Sequence, residues 1–388
     1  MEKIGILTFH KSINYGSVLQ TYALQKTLLN LGYKVEIIDY EPQKYEEIYG
    51  TFKRTKSSDD LKYNLKRVPI AKNIRKQKMK FDSFRNSSLF LSADKYNVES
   101  EFTEMVDGYG HIICGSDQIW NIHALDCDPV YFLPVKFQGN KIAYAVSVNN
   151  TKFNELQCDD NLRAYIVDFD HLSCREESGA EKIYNFIEKV KRVDEVLDPT
   201  LLCKKEDYDE ICSERLIVEK YIFLYNVWSG KDAIVAAKIV SRQLDLPVYT
   251  IMMRRDAKYI LKIEKEGMHV ERKKTSPENF VSLIRYADFI ITDSFHGTAF
   301  ALIFEKKFVC VNEKFPDGRL KNDERILNIL NKLELMERYL TIEQMRKMNY
   351  NTKFDYTMIT SKRMQLAKKS KEWLINAIEK NDKKECPE

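Results

Sequence analysis

From Ile4 to Asp39 the chain passes from an apolar run (Ile4 to Phe9) through a polar loop (His10 to Ser17) into apolar residues at helical spacing: Val18, Leu19, Tyr22, Ala23, Leu24, Leu28 and Leu31. Gly32 then closes the helix, and Lys34 to Asp39 supply a second strand. A strand–helix–strand unit of this kind is right-handed and parallel, which commits the chain to a doubly wound α/β fold. Strands are predicted again at 111–114, 141–146 and 169–173, and a second alternating set follows. That set has strands at 221–227, 247–252, 289–291 and 307–311 and helices at 232–244 and 277–287, with Ser276 as cap.

At 388 residues the chain is long for one core and suits two domains. Pro199 forces Asp198 into an extended or turn conformation, and a polar helix is expected from Lys204 to Arg215, so the junction falls near residues 200–220. The expected organisation is an N-terminal α/β domain over 1–205, a C-terminal α/β domain over 206–350, and a C-terminal helix and tail over 351–388. Met358, Met364, Leu366, Ala367, Trp373, Leu374 and Ile378 mark that helix, which is expected to pack back on the N-terminal half, with a frayed tail from Lys380.

The 62 basic and 58 acidic residues leave a net charge of +4, too balanced for an obligate nucleic-acid binder. Eight scattered cysteines contain no Cys-x-x-Cys pair, so neither a zinc site nor a disulfide framework is signalled and no metal is expected. The N-terminus reads as a first strand and no apolar run has the length of a membrane span, so a cytoplasmic protein is expected. Between Lys53 and Arg85 twelve Lys or Arg residues face only Asp59, Asp60 and Asp82, with Leu61, Leu65, Ile70, Ile74, Met79, Phe81 and Phe84 interspersed. A solvated helical face over the core is the plainer reading. Peripheral contact with an anionic membrane, at the inner face, is the alternative.

Four loops at predicted strand ends carry chemistry. Asn14, Gly16 and Ser17 stand at a helix start, read either as a plain cap or as a holder of an anionic or hydroxylated ligand, and the absence of Gly-x-Gly-x-x-Gly argues against NAD. Gly115-Ser116-Asp117-Gln118-Ile119-Trp120 brings hydrogen-bonding groups to a strand end, with Trp120 read either as a stacking platform for a sugar or as core. In Ser173-Cys174-Arg175-Glu176, Arg175 offers a fork for a carboxylate or phosphate, the alternative being a surface ion pair with Glu176 or Glu177, while Cys174 reads as packing. In Asp293-Ser294-Phe295-His296-Gly297-Thr298, a buried strand meets a buried helix, and His296 can carry a proton near neutral pH beside Ser294, Gly297 and Thr298. Taken singly, His296 reads first as a structurally bonded histidine. Asp317, Arg319, Asp323 and Arg325 read as surface ion pairs on a loop that could border a cleft between the two domains.

Together these blocks resemble the polysaccharide pyruvyl transferase family. The resemblance implies a GT-B-like fold, two Rossmann-like domains facing across a cleft, and transfer of the enolpyruvyl-derived group of phosphoenolpyruvate onto a sugar of a surface or exopolysaccharide precursor as a ketal. It implies phosphoenolpyruvate as co-substrate without a cofactor, and a saccharide acceptor, lipid-linked or already polymerised. His296 would be catalytic, with Arg175, Asn14, Gly16, Ser116, Asp117, Ser294, Gly297 and Thr298 binding substrate. Many members read Arg-Leu-His-Gly where this chain has Ser294-Phe295-His296-Gly297. A nucleotide-sugar glycosyltransferase of the same fold, and a noncatalytic sugar- or anion-binding component of a polysaccharide assembly system, are the competing readings.

Overall fold

The computed structural model describes residues 2–97, 101–149, 151, 160–228, 230–252, 257–315 and 317–380. Cys158, Cys386 and the expected tail beyond 380 lie outside the described residues.

The N-terminal half is a parallel sheet of seven strands: β1 (Lys3–Leu7), β2 (Lys34–Tyr40), β3 (Leu91–Tyr96), β4 (His111–Cys114), β5 (Asn140–Val146), β6 (His171–Cys174) and β7 (Val193–Glu195). Their order is β3-β2-β1-β4-β5-β6-β7. The C-terminal half has six: β8 (Ile222–Tyr225), β9 (Val248–Ile251), β10 (His269–Glu271), β11 (Phe289–Thr292), β12 (Lys307–Val311) and β13 (Tyr339–Leu340). Here the order is β10-β9-β8-β11-β12-β13, again parallel throughout. In each sheet the winding reverses between two central strands, β1 beside β4 and β8 beside β11. Ligands of open α/β sheets gather at such switch points, beyond the carboxyl ends of the strands.

Two helices lie at those points. Tyr15–Asn30, after β1, is buried along nearly its whole length, and Phe295–Ile303, after β11, is buried at every position. Both sit in one hydrophobic cluster that spans the two halves and includes Val18, Leu24, Phe280 and Phe300. Tyr15 and Phe280 stack across the junction at 4.8 Å and 7°, and the Tyr15 hydroxyl donates to the Thr275 carbonyl at 3.0 Å.

The basic segment folds as helices Ser58–Arg67 and Ala71–Ser88. The second buries Ile74, Gln77, Phe81, Phe84 and Arg85 and turns Lys72, Arg75, Lys76 and Met79 outward. Gln77 Nε2 donates to the Tyr15 hydroxyl at 3.0 Å and to the Met252 carbonyl at 2.8 Å, which ties the helix to both halves.

The long helix Thr357–Glu379 packs on the N-terminal half. Ser370 Oγ accepts from Leu197 N at 2.9 Å, and Trp373 Nε1 donates to Asp194 at 2.8 Å. The helix expected over 204–215 ends early, covering only Lys205–Asp209. Ser213 N donates to the Glu278 carbonyl and Ser282 Oγ to the Glu214 carbonyl, so tertiary bonds take the groups a continuing helix would use.

Candidate functional site

The loops after β1, β4, β8 and β11 converge on a cleft of about 380 Å³ lined by Phe9, Asn14, Ser17, Asp117, Gln118, Val227, Trp228, Ser294, His296 and Arg325, among others. Its walls therefore come from both switch points, and from both halves of the chain.

On the C-terminal side β11 ends at Thr292, whose Oγ1 accepts from Ser294 N at 3.0 Å, and Ser294 is the extended N-cap of the next helix without a side-chain cap bond. The first-turn N–H groups of Phe295, His296 and Gly297 thus have no acceptor within the helix, and they bring positive potential to the cleft. Gly297 and Thr298 lie beneath this surface. A Cβ on Gly297 would stand 2.1 Å from Thr292 Oγ1, and Thr298 Oγ1 donates to the Ser294 carbonyl and contacts Cys310 Sγ, each at 3.0 Å. His296 Nε2 has no hydrogen-bond partner and stands 3.7 Å from Asp198 Oδ2. The ring lies against the opposite half, where a Cβ on Gly16 would fall 2.1 Å from His296 Nδ1. Only glycine at 16 leaves the imidazole its place.

On the N-terminal side Asn14 caps the helix through Gly16 N at 2.9 Å, and Ser17 Oγ donates to Asp117 Oδ2 at 2.5 Å. Gly115 (φ 129) makes the turn after β4, with the Tyr144 carbonyl where a Cβ would be, and Asp117 follows at φ 75. Ser116 is fully buried and donates to the Ala145 carbonyl at 2.7 Å and to Asp198 Oδ2 at 3.2 Å. Arg175 is also buried, neither on the surface nor at the cleft wall. It meets Asp198 at 2.8 Å, Asp117 at 3.4 Å and Glu176 at 3.5 Å, and lies 4.7 Å from the centre of the Phe295 ring. One guanidinium so joins β6, the loop after β4 and the 198–202 turn.

Burial would push Asp117 and Asp198 upward, but both carboxyls are held below the usual range, Asp117 by Arg175, His296 and Ser17, Asp198 by His296, Arg175 and Thr200. Asp293 behaves oppositely. Burial, reinforced by Glu313, pushes it up to about 7 although it accepts from Val227 N and Trp228 N at 2.7 and 3.1 Å.

Of the residues predicted from sequence, Asn14, Asp117, Ser294 and His296 line the cleft and Gly16 fits the histidine ring. Arg175, Ser116, Gly297 and Thr298 form the layer behind them. The surface-pair reading of Arg175 is corrected by its complete burial. Trp120 is core: fully buried, its Nε1 donates to the Tyr131 carbonyl at 2.9 Å and its ring stacks on Phe132. Cys174 is buried packing whose thiol burial pushes well up. Arg325, read as a surface residue, is instead 7% exposed, lines the cleft and pairs with Asp323 through two nitrogens at 2.9 and 2.5 Å. Asp317 and Arg319 do form an exposed pair. The sequence reading also passed over Ser12, Tyr49 and Asp126, a hydrogen-bonded chain with 2.6 Å links on the cleft wall. Among the described residues no group of three or more His, Cys, Asp or Glu is placed to hold a metal ion.

Similar solved structures include the S. aureus MnaA–UDP co-structure, 12% identical with 97% of this chain and 96% of that one covered at a TM-score of 0.51. UDP-GlcNAc 2-epimerase from Methanocaldococcus jannaschii is 11% identical, with 96% and 99% covered, also at 0.51. These likenesses concern the fold, which is GT-B-like, two parallel α/β sheets with a cleft between them. No curated protein matches the chain in sequence. The model of the family described as Polysaccharide pyruvyl transferase matches residues 14–314, a span that runs from the Asn14 cap past His296. The chain belongs to the polysaccharide pyruvyl transferase family.

Proposed function

We propose that the protein transfers the enolpyruvyl-derived group of phosphoenolpyruvate onto two hydroxyls of one sugar in a surface or exopolysaccharide precursor, releasing phosphate. The observation that carries this reading is His296, which lines the cleft beside a free helix N-terminus and whose buried Nε2, 3.7 Å from Asp198 Oδ2, has no hydrogen-bond partner. In the reaction the methylene carbon of the donor gains a proton, a sugar hydroxyl bonds to the neighbouring carbon, and the bond from that carbon to the phosphate oxygen breaks. A second hydroxyl then closes the ring. The two hydroxyls lose two protons; one balances the new methyl group and the other leaves with phosphate. His296 is the proton-handling group, since an imidazole can both give and take a proton near neutral pH. Arg325 and the first-turn N–H groups of the Phe295–Ile303 helix face the donor's anions, in a branch that has Ser294 where many relatives carry arginine. Arg175 acts through Asp117 and Asp198 as a positioning residue, and the acceptor lies against Asn14, Asp117 and Gln118.

Leu61, Leu65, Val68 and Met79 are exposed beside Lys62, Lys66, Lys72 and Lys76 on the helical pair 58–88. Exposed apolar and basic side chains on this helical pair suit an anionic lipid headgroup layer, which supports a lipid-linked acceptor and a protein working at the cytoplasmic face of a membrane. No described helix is long and apolar enough to cross one.

Purified protein is expected to be stabilised by phosphoenolpyruvate and not by UDP, by about 2.7 kcal/mol at a hundredfold excess over Kd. Phosphate release is expected only with an acceptor glycan and is lost in His296→Ala. Stabilisation by UDP alone would favour the nucleotide-sugar reading, and donor binding without glycan-dependent release would favour a noncatalytic component. Mass spectrometry of the glycan reads the added ketal directly.

A further inference from the structure

Beside the cleft lies a second cavity of about 160 Å³, whose lining includes Asn149, Trp228, Asp293, Glu313, Lys321 and Asn322. Trp228 lines both spaces. Its indole is half exposed, and its backbone is fixed because Asp293 accepts from Val227 N and Trp228 N. Glu313 is almost wholly buried. Its Oε2 accepts from Lys321 Nζ at 2.6 Å, while Oε1 has no hydrogen-bond partner. A buried carboxylate oxygen without a partner is destabilising unless something donates to it. A Cβ on Gly230 would meet that same oxygen at 1.8 Å, so the chain keeps a glycine where Glu313 needs room.

The chemistry of the lining narrows the ligand. Among the described residues of the lining the one cation, Lys321, is already paired with Glu313, so a nucleoside diphosphate finds no unpaired cation there. An uncharged ligand with hydroxyl donors and an apolar face fits: hydroxyls for Glu313 and the two asparagines, C–H groups for the indole.

We propose that this cavity is a saccharide subsite, in which Trp228 and Glu313 Oε1 hold the sugar next to the one that receives the pyruvyl group. The inference rests on the transferase reading of the main cleft, and it makes the acceptor at least a disaccharide.

Saturation-transfer NMR on the full chain, with cellobiose, maltose and chitobiose and their monosaccharides as probes, tests it. At least one disaccharide is expected to bind about tenfold tighter than its monosaccharide, the effect of one stacked aromatic contact. Trp228→Ala and Glu313→Gln, each checked for folding by circular dichroism, are expected to abolish that gain. A wild-type protein that prefers no disaccharide, a preference that survives in both variants, or displacement of the disaccharide by UMP overturns the subsite. The thermal shift with phosphoenolpyruvate, read on the same samples, separates the two proposals. A missing shift defeats the donor reading, whereas a normal shift without disaccharide gain defeats only the subsite.

Discussion

Gly16 and His296 claim the same space from opposite halves of the molecule: a methyl group on residue 16 would lie 2.1 Å from the imidazole Nδ1. The helix that opens the N-terminal half therefore sets the position of the ring that the C-terminal half contributes. Gly16→Ala should cost about 1–3 kcal/mol by overpacking and should lower transferase activity on the order of a hundredfold, because a displacement near 1 Å is that damaging to a reacting group. Urea unfolding and phosphate-release rates measure the two effects, and near-wild-type turnover would contradict the role given to the contact.

Asp198 is the point where Arg175, Ser116, Thr200 and His296 meet. Replacing it with alanine leaves a buried guanidinium short of a partner, a change that typically costs about 3–5 kcal/mol. Because its carboxyl is held below the usual range in the folded state, its contribution is complete above the ordinary value of 3.8 and is lost as pH falls through the folded value. Asp198→Ala should therefore lose stability relative to wild type at pH 7 and lose much less near pH 2, which denaturation curves at the two pH values compare.

Asp293 has the opposite sign. Burial and Glu313 push its carboxyl from 3.8 up to about 7, against the Val227 and Trp228 N–H groups and Lys321. Between those values the folded chain holds a proton that the unfolded chain has released, so this contribution is full below about pH 4 and fades as pH rises through 7. The span is about 4 kcal/mol at most. Thermal unfolding of wild type and Asp293→Asn from pH 4 to 8 should give a difference that changes with pH in that window, with Asp293→Asn gaining relative to wild type as pH rises. A flat difference would show that the carboxyl ionises normally.

The 58–88 helices should bind vesicles containing phosphatidylserine and not neutral vesicles, with binding weakened by salt. Lys62→Glu and Lys76→Glu should each reduce it roughly fivefold or more, at about 1 kcal/mol per basic residue near the surface. Cosedimentation measures this, and equal binding to both vesicle types would reject an electrostatic surface.

Strand legibility followed position in the sheet. All nine interior strands carried apolar runs that predicted them, whereas β3, β7, β10 and β13 did not, and these four are the sheet edges. An edge strand has one neighbour and partial cover; β7 (Val-Asp-Glu) and β10 (His-Val-Glu) have no fully buried residue. The site divided in the same way. Loops at the ends of interior strands stood out as motifs, but which of their side chains face solvent depends on contacts between distant segments. Arg175 looked like a ligand-binding fork because its partners Asp117 and Asp198 lie 58 and 23 residues away. Arg325 looked superficial because its partner Asp323 is two residues away, and nothing local signals that the pair is buried.

The stack of Tyr15 on Phe280 bears on how such a machine can move. Enzymes built from two lobes commonly open by swinging about a polar, wettable boundary, yet here part of the boundary is an oily seam continuous with both interiors. Pulling the lobes apart would wet that seam and forfeit its apolar burial, and a chain cut near residue 210 would leave an apolar face open on each fragment.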